Sequence, residues 1–552
     1  MRPSISKVEH PQINMSSQQE LLQIPAQQQF AASSTTRVPT GDYATDILFV
    51  CSPTNARSPY MPFFYLYLAG YLEKKGYRVE IADPHERTQE SNINLILEKV
   101  KQSKPRFVGL AAFVTDYDLM VHLAKSIRNI TPAPIIIGNA HPSVLPSDFL
   151  YSESPFDIAV CGEGETTCEE ILERYRNHAD LAQIKGIAYL NSAGKVIVTP
   201  ERRFLPGVEW GKPAYHLLDM GFYSRPTKYL IRNLYTRTAV IYTARGCPFK
   251  CGFCAANAVW DANSLEGSKL VRNRPMESVM EELELLQNRY KFDFFYILDD
   301  TFGLREKDVY DFCDAYKKSG LKMLWGAETR VTCVRKKEVL LAMKDAGCIQ
   351  LDFGVETGSP ALLKTIDKAI KVENILLGFK NCHEVGMRSF ANMLINLPGE
   401  TTEDLALTHE LLKEIKPTYS SFGVTQPYPG TPFYKHGGFT FGKEAYHKLD
   451  REIPPEEFRM AQHELPLEIT LLQFRLRYKQ FGLVEQGLYK GPWRYWTQIF
   501  RSTKKWQYFW YFIKQQVNVP VIFARMLFRY YRLVRKGKDG VSHKKHEWQL
   551  SI

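Results

Sequence analysis

Three cysteines on one short segment are the residues of this chain best suited to chemistry. Cys247, Cys251 and Cys254 form a C-x3-C-x2-C pattern shortly after a strand-like run at residues 237–243. Three thiolates on one loop can bind three corners of a cubane iron–sulfur cluster. Because no fourth protein ligand follows at a matching spacing, one iron would keep an open coordination site, much as a catalytic zinc keeps one for water.

Two alternatives compete with a cluster. A structural zinc site usually consists of two C-x2-C or Cys/His pairs, and no second pair follows these cysteines. The other alternative is three unrelated cysteines, although Gly246, Pro248 and Gly252 are typical of a loop shaped around a metal. The other seven cysteines show no ligand spacing, and we expect each to pack singly in the core. They are Cys51, Cys161, Cys168, Cys313, Cys333, Cys348 and Cys382.

The elements that would position these thiols belong to two successive series of strands and helices. The chain has 552 residues, 44% of them apolar, which is enough for roughly three domains of about 150 residues. The first series has strands at 46–51, 78–82, 107–113, 134–138 and 157–161. Short apolar strands separated by helical segments predict a parallel, doubly wound, Rossmann-like sheet, whose ligands bind beyond the carboxyl ends of the strands.

The second series has six strands instead of the eight of a closed (β/α) barrel. They are predicted at 237–243, 292–298, 323–328, 349–355, 389–395 and 419–424. We therefore expect an α/β protein with a partial (β/α)6 TIM barrel as its second domain. The active site of such a barrel lies at the carboxyl ends of the strands, where the cysteine loop is placed.

Glycines and polar residues occupy the loops that follow the strands of the first series. Glycine lets the backbone approach a large flat ligand closely, and Thr115 and His141 offer polar contacts. The alternative is a set of ordinary strand-to-helix turns in which Glu165 or Thr166 caps a helix. The candidate binding residues are Thr115, Gly138, His141, Gly162, Glu163, Gly164 and Glu165.

The order of these motifs resembles a known family. The cysteine spacing, with Phe253 before the last cysteine, resembles the signature loop of the radical SAM superfamily. The loops at 138–143 and 162–167 resemble those of the cobalamin-binding domain that precedes many radical SAM cores. The resemblance covers roughly residues 46–435 and implies three cofactors: a [4Fe–4S] cluster, S-adenosylmethionine and cobalamin. In that family the open iron binds the amino and carboxylate groups of S-adenosylmethionine, whose reductive cleavage yields a 5′-deoxyadenosyl radical.

The resemblance also implies roles for residues at the strand ends of the barrel. Asp299 and Asp300 would accept hydrogen bonds from the ammonium group or ribose of S-adenosylmethionine, and the alternative is a salt-bridged or capping pair. Glu356 would accept from the ribose hydroxyls, with Gly354 allowing close packing. The Leu-Pro-Gly-Glu-Thr turn at 397–401 resembles a family turn and is expected to cap the next helix.

The histidines depart from the better-known cobalamin enzymes. Those enzymes place a cobalt-ligating histidine in a D-x-H-x-x-G loop after the first strand, whereas residues 52–58 contain no histidine. His85 follows the second strand without the glycine, and we interpret it as a surface loop residue. We therefore expect no protein imidazole at the lower face of cobalt and only an edge contact from His141.

The predicted domains are a disordered leader (1–44), a cobalamin-binding domain (45–195), a connector (196–236), the barrel (237–440) and a helical C-terminal region (441–552). The resemblance predicts a cobalamin-dependent radical SAM enzyme that methylates an unactivated carbon of a small, lipid-like or pigment-like substrate. An oxidative reaction without methylation, such as the anaerobic ring closure of a magnesium-porphyrin ester, is the closest alternative. A cobalamin- or redox-responsive regulator is the non-enzymatic alternative.

The positive charge lies in the C-terminal region. Of a net charge of +11, residues 491–552 contribute 13 Lys/Arg against Asp539 and Glu547, so the rest of the chain is about neutral. Aromatic residues and a basic helix face of Arg525, Arg529 and Arg532 favour a membrane interface or anionic lipid. The alternative is a helical cap over the barrel mouth. Nucleic acid is not expected, because no RNA-binding module accompanies the charge.

The remaining expectations concern location and partners. The first residues lack the apolar segment of a signal peptide, and no run of 18 apolar residues predicts a transmembrane helix. Reduced thiols and an oxygen-sensitive cluster indicate the cytoplasm, with peripheral contact at the inner face of the membrane through the tail. The expected partners are a small-molecule substrate and an electron donor of the flavodoxin or ferredoxin type.

Overall fold

The computed structural model describes residues 43–54, 60–177, 181–232, 234–259, 271–437, 439, 441–449, 458–462, 493–511, 513 and 528. The predicted leader lies outside the described residues except for its last two positions. The predicted basic face of Arg525, Arg529 and Arg532 also lies outside them.

Seven strands form the first sheet. They are β1 (Thr45–Val50), β2 (Val79–Ala82), β3 (Pro105–Ala111), β4 (Ile135–Gly138), β5 (Ile158–Val160), β6 (Ile187–Leu190) and β7 (Val196–Val198). Their order is β2-β1-β3-β4-β5-β6-β7. The first five strands are parallel, which confirms the doubly wound domain, because this order is one of the two common doubly wound arrangements.

The last two strands of this sheet were not predicted. β6 pairs antiparallel with β5, and β7 pairs antiparallel with β6. They form a short hairpin through the turn at 191–195, where Gly194 has a φ of +72°. β7 therefore extends the sheet into the first residues of the predicted connector.

Helices cover both faces of this sheet. They are α1 (Phe63–Lys74), α2 (Gln89–Ser103), α3 (Tyr117–Arg128), α4 (Ala140–Val144) and α5 (Glu165–Asn177). All six residues of β1 are buried, as expected for a central parallel strand with a near-continuous apolar sequence. Phe49 on β1 stacks on Tyr65 of α1, with ring centroids 5.0 Å apart.

Six parallel strands form the second sheet, which confirms the partial barrel. They are β8 (Thr238–Ile241), β11 (Phe294–Ile297), β12 (Leu324–Thr329), β13 (Cys348–Glu356), β14 (Arg388–Ile395) and β15 (Tyr419–Val424). They lie in simple sequence order, from β8 at one edge to β15 at the other. A separate antiparallel hairpin of β9 (Ala244–Arg245) and β10 (Arg272–Asn273) flanks the cysteine loop.

One short helix lies in the connector, and the helices of the second domain follow its strands along the chain. They are α6 (Met220–Tyr223), α7 (Ala256–Val259), α8 (Met276–Asn288), α9 (Glu306–Ser319), α10 (Lys337–Asp345), α11 (Pro360–Thr365), α12 (Val372–Val385), α13 (Thr402–Ile415) and α14 (Pro432–His436). α13 begins as the Leu-Pro-Gly-Glu-Thr turn predicts. The Thr401 hydroxyl accepts a hydrogen bond from the backbone N–H of Asp404, and the Asp404 carboxylate accepts one from the backbone N–H of Thr401. These two bonds form a reciprocal capping box.

The connector packs against helices of both domains. Tyr215 donates a hydrogen bond of 2.5 Å to Glu282 on α8, and the backbone N–H of Ala214 donates to the carbonyl of Leu66 on α1 at 3.0 Å. The approach to α1 requires a glycine, because a Cβ on Gly70 would lie 1.7 Å from the carbonyl oxygen of Lys212. One apolar core therefore runs from the first sheet through the connector into the barrel.

The C-terminal helix (Trp493–Arg501) lies at the amino ends of the barrel strands, away from the barrel mouth. The rest of the predicted cap, at residues 514–527 and 529–552, lies outside the described residues. Tyr508 donates to the carboxylate of Asp293 at 2.8 Å and accepts from the backbone N–H of Arg237 at 3.1 Å. Arg237 and Asp293 directly precede β8 and β11. Within the described ranges, no helix has both the length and the apolar character needed to cross a bilayer.

Candidate active site

The cysteine loop lies beyond the carboxyl end of β8, between β9 and α7, and its backbone is tied to the rest of the barrel. The N–H of Gly252 donates to the carbonyl of Ile366 at 2.9 Å, and its own carbonyl accepts from Phe433 at 3.1 Å. A Cβ on Gly252 would lie 2.5 Å from the Phe433 ring, so this approach requires glycine. Cys251 is buried, while Cys247 and Cys254 are partly exposed.

The donor set fits a cluster with one open iron. The three cysteines lie on one loop and none of them is in a disulfide, and thiolates are the usual ligands of iron–sulfur clusters. Among the described residues, no three His, Cys, Asp or Glu side chains converge as a single metal ion requires. A cubane does not need that convergence, because each cysteine binds a different iron.

Asp299 and Asp300 anchor the backbone that leads into the cysteine loop. Asp299 accepts hydrogen bonds from the N–H groups of Thr243 at 2.6 Å and Ala244 at 3.1 Å, and also from the Thr243 hydroxyl. Asp300 accepts from the N–H of Gly246 at 2.7 Å. The alternative of a capping pair therefore describes Asp299, which is 3% exposed and already has three donors. Burial raises the pKa of Asp299 to about 7.

Glu356 meets a buried lysine at the end of β13. Its carboxylate lies 2.5 Å from the ammonium of Lys368, and its own φ of +69° is rare for a residue with a side chain. Gly354 leaves the room for this pair, since a Cβ there would lie 2.5 Å from the Glu356 carboxylate and 2.6 Å from Lys368. The predicted ribose acceptor therefore already has a charged partner.

Arg330 is a buried cation beside the cysteines that the sequence analysis did not single out. Its Nη1 lies 3.9 Å from the Sγ of Cys251, and its guanidinium lies 3.6 Å from the centre of the Phe249 ring. Burial raises the pKa of Cys251, and the charges of Lys368 and Arg330 oppose that effect. The position of Arg330 after β12, at the carboxyl end of a barrel strand, was the signal that could have identified it.

A cavity of about 480 Å³ lies between the strand ends of the first sheet and the cysteine loop. The first domain contributes five of the predicted binding residues, and the barrel contributes residues on both sides of the cysteines. Gly162 has a φ of +89°, and an added Cβ there would meet no atom within 4 Å, so its backbone faces open space. This glycine-lined wall fits a large flat ligand. The lining includes Gly138, Gly162, Glu163, Gly164, Glu165, Tyr242, Arg245, Ala255, Ala256 and Asp300.

Three predicted positions differ from the structure. His141 is 3% exposed, lies 2.8 Å from the Asp148 carboxylate and packs in an aromatic cluster with Tyr446, so its expected edge contact is wrong. Thr115 is exposed on a short turn and does not line the cavity. His85 lies in a loop, as predicted, but is only partly exposed, because its ring stacks on Phe222 at 3.7 Å.

Glu163 and Glu165 have a contact that the sequence did not reveal. Both carboxylates bind Arg245, with its Nη1 at 3.1 Å from Glu163 and 2.7 Å from Glu165. Glu163 also binds Arg272 at 2.7 Å. The loop that lines the cavity is therefore ion-paired to the hairpin at the base of the cysteine loop.

The fold and the site define a class of two-domain protein in which a doubly wound domain presents its strand ends to the cysteine loop of a partial barrel. Residues 241–412 match the model of the radical SAM superfamily, and residues 54–172 match that of the B12 binding domain. The chain belongs to the radical SAM superfamily and carries a B12-binding domain. The predicted family and fold class are thereby confirmed. The predicted cofactors are confirmed as well, namely a [4Fe–4S] cluster, S-adenosylmethionine and cobalamin.

Three known proteins show the extent of the similarity. The chain is 30% identical over 392 residues to an uncharacterized methyltransferase of Pyrococcus horikoshii, covering 70% of this chain and 82% of the relative. It is 26% identical to the anaerobic magnesium-protoporphyrin IX monomethyl ester cyclase of Rubrivivax gelatinosus, and the match covers 68% of this chain and 66% of the relative. Among solved structures, the chain resembles the radical S-adenosylmethionine methyltransferase TsrM from Kitasatospora setae with cobalamin and [4Fe–4S] cluster bound. The TM-score is 0.58 at 19% identity, and the match covers 70% of this chain and 77% of TsrM. The chain is a radical SAM enzyme.

Proposed function

We propose that this enzyme methylates an unactivated carbon of a small-molecule substrate. The cavity shared by the cobalamin loops and the cysteine loop supports this most directly, because it brings both cofactor sites to one space. The similarity to methyltransferases supports the same reaction. The similarity to a cyclase makes oxidative ring closure the second candidate.

The proposal assigns roles to residues of the chain. Cys247, Cys251 and Cys254 would bind three irons, and Asp299 would fix the backbone that leads to them. When bound, the reduced cluster supplies the electron that cleaves S-adenosylmethionine, and cobalamin supplies the methyl group. The chain's own residues bind and orient these groups and exclude water from between them.

The other predicted binding residues keep proposed roles of two kinds. Gly354 and Glu356 would face the ribose of S-adenosylmethionine, with Lys368 holding the Glu356 carboxylate in place. Asp300, which lines the cavity, would accept from the ammonium group. In the first domain, the backbone of Gly138 and of residues 162–165 would contact cobalamin. In this proposal residues 45–198 form the cobalamin-binding domain and 237–440 the barrel.

Product analysis separates the two candidate reactions. We expect anaerobically reconstituted protein to contain about four irons and one cobalamin per chain, and to release 5′-deoxyadenosine when reductant and S-adenosylmethionine are added. With its substrate, methylation increases the product mass by one CH2 unit, whereas ring closure does not. A bound cluster without deoxyadenosine formation would contradict both reactions and favour a regulator.

We also propose that the C-terminal region contacts anionic lipid at the inner face of the membrane. Trp493, Trp506 and Trp510 are 82%, 75% and 65% exposed, and Lys504 and Lys505 lie among them. Exposed tryptophans beside cations suit the membrane–water interface. None of the ten cysteines, all of which are described, is in a disulfide, which supports a cytoplasmic location.

Replacing Trp506 and Trp510 with alanine should weaken binding to anionic vesicles at least about tenfold, because burying one large apolar side chain contributes about 1.5–3 kcal/mol. Co-sedimentation with phosphatidylserine and phosphatidylcholine vesicles measures this. Tyr310→Ala, which removes a 36% exposed aromatic residue from α9, is the matched control. Equal binding of both variants, or binding that is independent of lipid charge, would contradict the proposal.

An electron donor of the flavodoxin or ferredoxin type completes the proposed set of partners. Pro248 and Lys250 of the cysteine loop are exposed. Lys250 offers a positive charge next to the cysteines, which would attract a donor with an acidic surface.

A further inference from the structure

The hairpin at the base of the cysteine loop places two arginines opposite each other. Arg245 on β9 and Arg272 on β10 are register partners in this antiparallel pair. Both side chains are largely buried, with 15% and 5% exposure. Like charges directly opposite in an antiparallel pair are destabilising, and burial strengthens that repulsion. The hairpin therefore needs negative charge from elsewhere in the chain.

Two glutamates of the cobalamin domain supply that charge. Glu163 accepts from Nη1 of Arg245 at 3.1 Å and from Nη1 of Arg272 at 2.9 Å, so one carboxylate bridges the two cross-strand arginines. Glu165 accepts from Arg245 at 2.7 Å. Glu163 and Glu165 are 8% and 6% exposed. The four residues form a buried network of two positive and two negative charges, named here the interdomain ion-pair network.

The connector encloses this network. The Arg245 guanidinium lies 4.2 Å from the ring centre of Trp210, and that of Arg272 lies 4.6 Å from that of Phe204. Leu205 closes the ring of hydrogen bonds, since its N–H donates to Glu163 at 2.8 Å and its carbonyl accepts from Arg272 at 2.9 Å. Removing one charge from such an enclosed pair leaves its partner buried and uncompensated.

The network joins the two cofactor sites through very short lengths of chain. Glu163 and Glu165 alternate with Gly162 and Gly164, whose backbone lines the cavity. Arg245 is two residues before Cys247. A displacement of the cobalamin-facing loop would therefore move the base of the cysteine loop, and the reverse.

We propose that Glu163, Glu165 and Arg245 are positioning residues that fix the cobalamin-facing loop to the base of the cysteine loop, so that the retention and relative placement of the two cofactors are coupled. This inference rests on the proposed function, because it needs both cofactors in the same molecule. It adds a role for two glutamates that are otherwise assigned only to cobalamin contact.

The test uses full-length, reconstituted protein and the double variant Glu163→Gln/Glu165→Gln, which keeps side-chain shape and removes both charges. We expect cobalamin affinity to fall about tenfold or more, the range typical of losing groups that orient metal ligands. We also expect a weaker magnetic interaction between the reduced cluster and cobalt(II) in electron paramagnetic resonance spectra. Deoxyadenosine should still form, but the yield of methylated product per deoxyadenosine should fall severalfold.

A matched control and a coupling measurement separate positioning from general stability. Glu170→Gln removes a carboxylate that pairs with Arg202 of the connector at 2.7 Å and with neither arginine of the hairpin, and it should leave all three readouts unchanged. Arg245→Gln combined with Glu165→Gln should be no worse than Arg245→Gln alone, because losing Arg245 already removes the ion pair that Glu165 makes. Arg245→Lys should restore part of the loss, since it keeps the charge.

The outcomes distinguish this inference from the proposed function. Wild-type protein that binds a cluster but no cobalamin overturns the proposed function whatever the variants do. Wild-type protein that binds both, with a double variant that retains cobalamin affinity, magnetic interaction and product yield, overturns the positioning role. A lowered melting temperature with unchanged magnetic interaction and product yield also overturns it, because a merely structural network predicts that result.

Discussion

Replacing Cys251 with alanine is expected to abolish deoxyadenosine formation and to remove the cluster, while leaving the fold intact. Cys251 is the most deeply buried of the three loop thiols, at 6% exposure, and it lies beside the buried cations Arg330 and Lys368. Losing residues that only support metal ligands costs 10–100-fold in affinity or activity. The loss of a ligand itself should therefore lower cluster affinity and activity by more than about 100-fold.

The control for this variant is another buried cysteine. Cys313 on α9 is 1% exposed, and burial raises its pKa to about 12, so it has the character of a core residue. Cys313→Ala should retain iron, sulfide and the cluster absorbance, with only a small loss of stability. Iron and sulfide analysis, the visible spectrum and a deoxyadenosine assay compare the two variants. Wild-type iron content in Cys251→Ala would show that another group holds the cluster.

The barrel strands and the residues at their carboxyl ends were largely predictable because their signals are local. Each predicted strand of the barrel is a short apolar run, and the residue that follows it marks the carboxyl end of the sheet. The sequence placed the cysteines, Asp299 and Glu356 at this end of the sheet in this way, and the structure has them there; their roles toward the cofactors are proposals. The order of the motifs along the chain then identified the family, which the family models confirm.

Contacts between distant residues were not predictable from these patterns. Glu163 and Arg245 are 82 positions apart, and no spacing rule connects a carboxylate in one domain to a guanidinium in another. His141 was misassigned for the same reason, because its neighbour Tyr446 comes from beyond the barrel strands. Tyr508 binds Asp293, which is 215 positions away, and this contact places residues 493–511 at the amino ends of the barrel strands. No local pattern predicts it.

Replacing Asp299 with asparagine is expected to loosen the cysteine loop and to change how stability depends on pH. The carboxylate accepts hydrogen bonds from two backbone N–H groups and from the Thr243 hydroxyl. An amide offers only one accepting oxygen, so at least one buried donor loses its partner, at a cost of about 1–3 kcal/mol. Lower iron retention after gel filtration would report the loosened loop.

The pH dependence follows from the burial of the carboxyl group. Burial raises the pKa of Asp299 from 3.8 to about 7, and the hydrogen bonds from Thr243 and Ala244 offset only part of that shift. Between those two values the folded protein binds more protons at Asp299 than the unfolded chain does. The stability contribution of a protonated Asp299 is therefore full below pH 3.8 and is lost as the pH rises to about 7.

This loss of stability amounts to ~4 kcal/mol at 1.36 kcal/mol per pKa unit. The Asp299→Asn variant does not show it, because asparagine does not titrate. The free energy of unfolding of the wild type should therefore decrease relative to that of Asp299→Asn between about pH 4 and about pH 7, and the difference should be constant at higher pH. Chemical unfolding of both proteins across this range measures it. Asp311→Asn, at a solvent-exposed ion pair with Lys307, is the control and should follow the wild type. If Asp299→Asn also followed the wild type, the hydrogen bonds to the cysteine loop would outweigh burial, and Asp299 would be charged throughout.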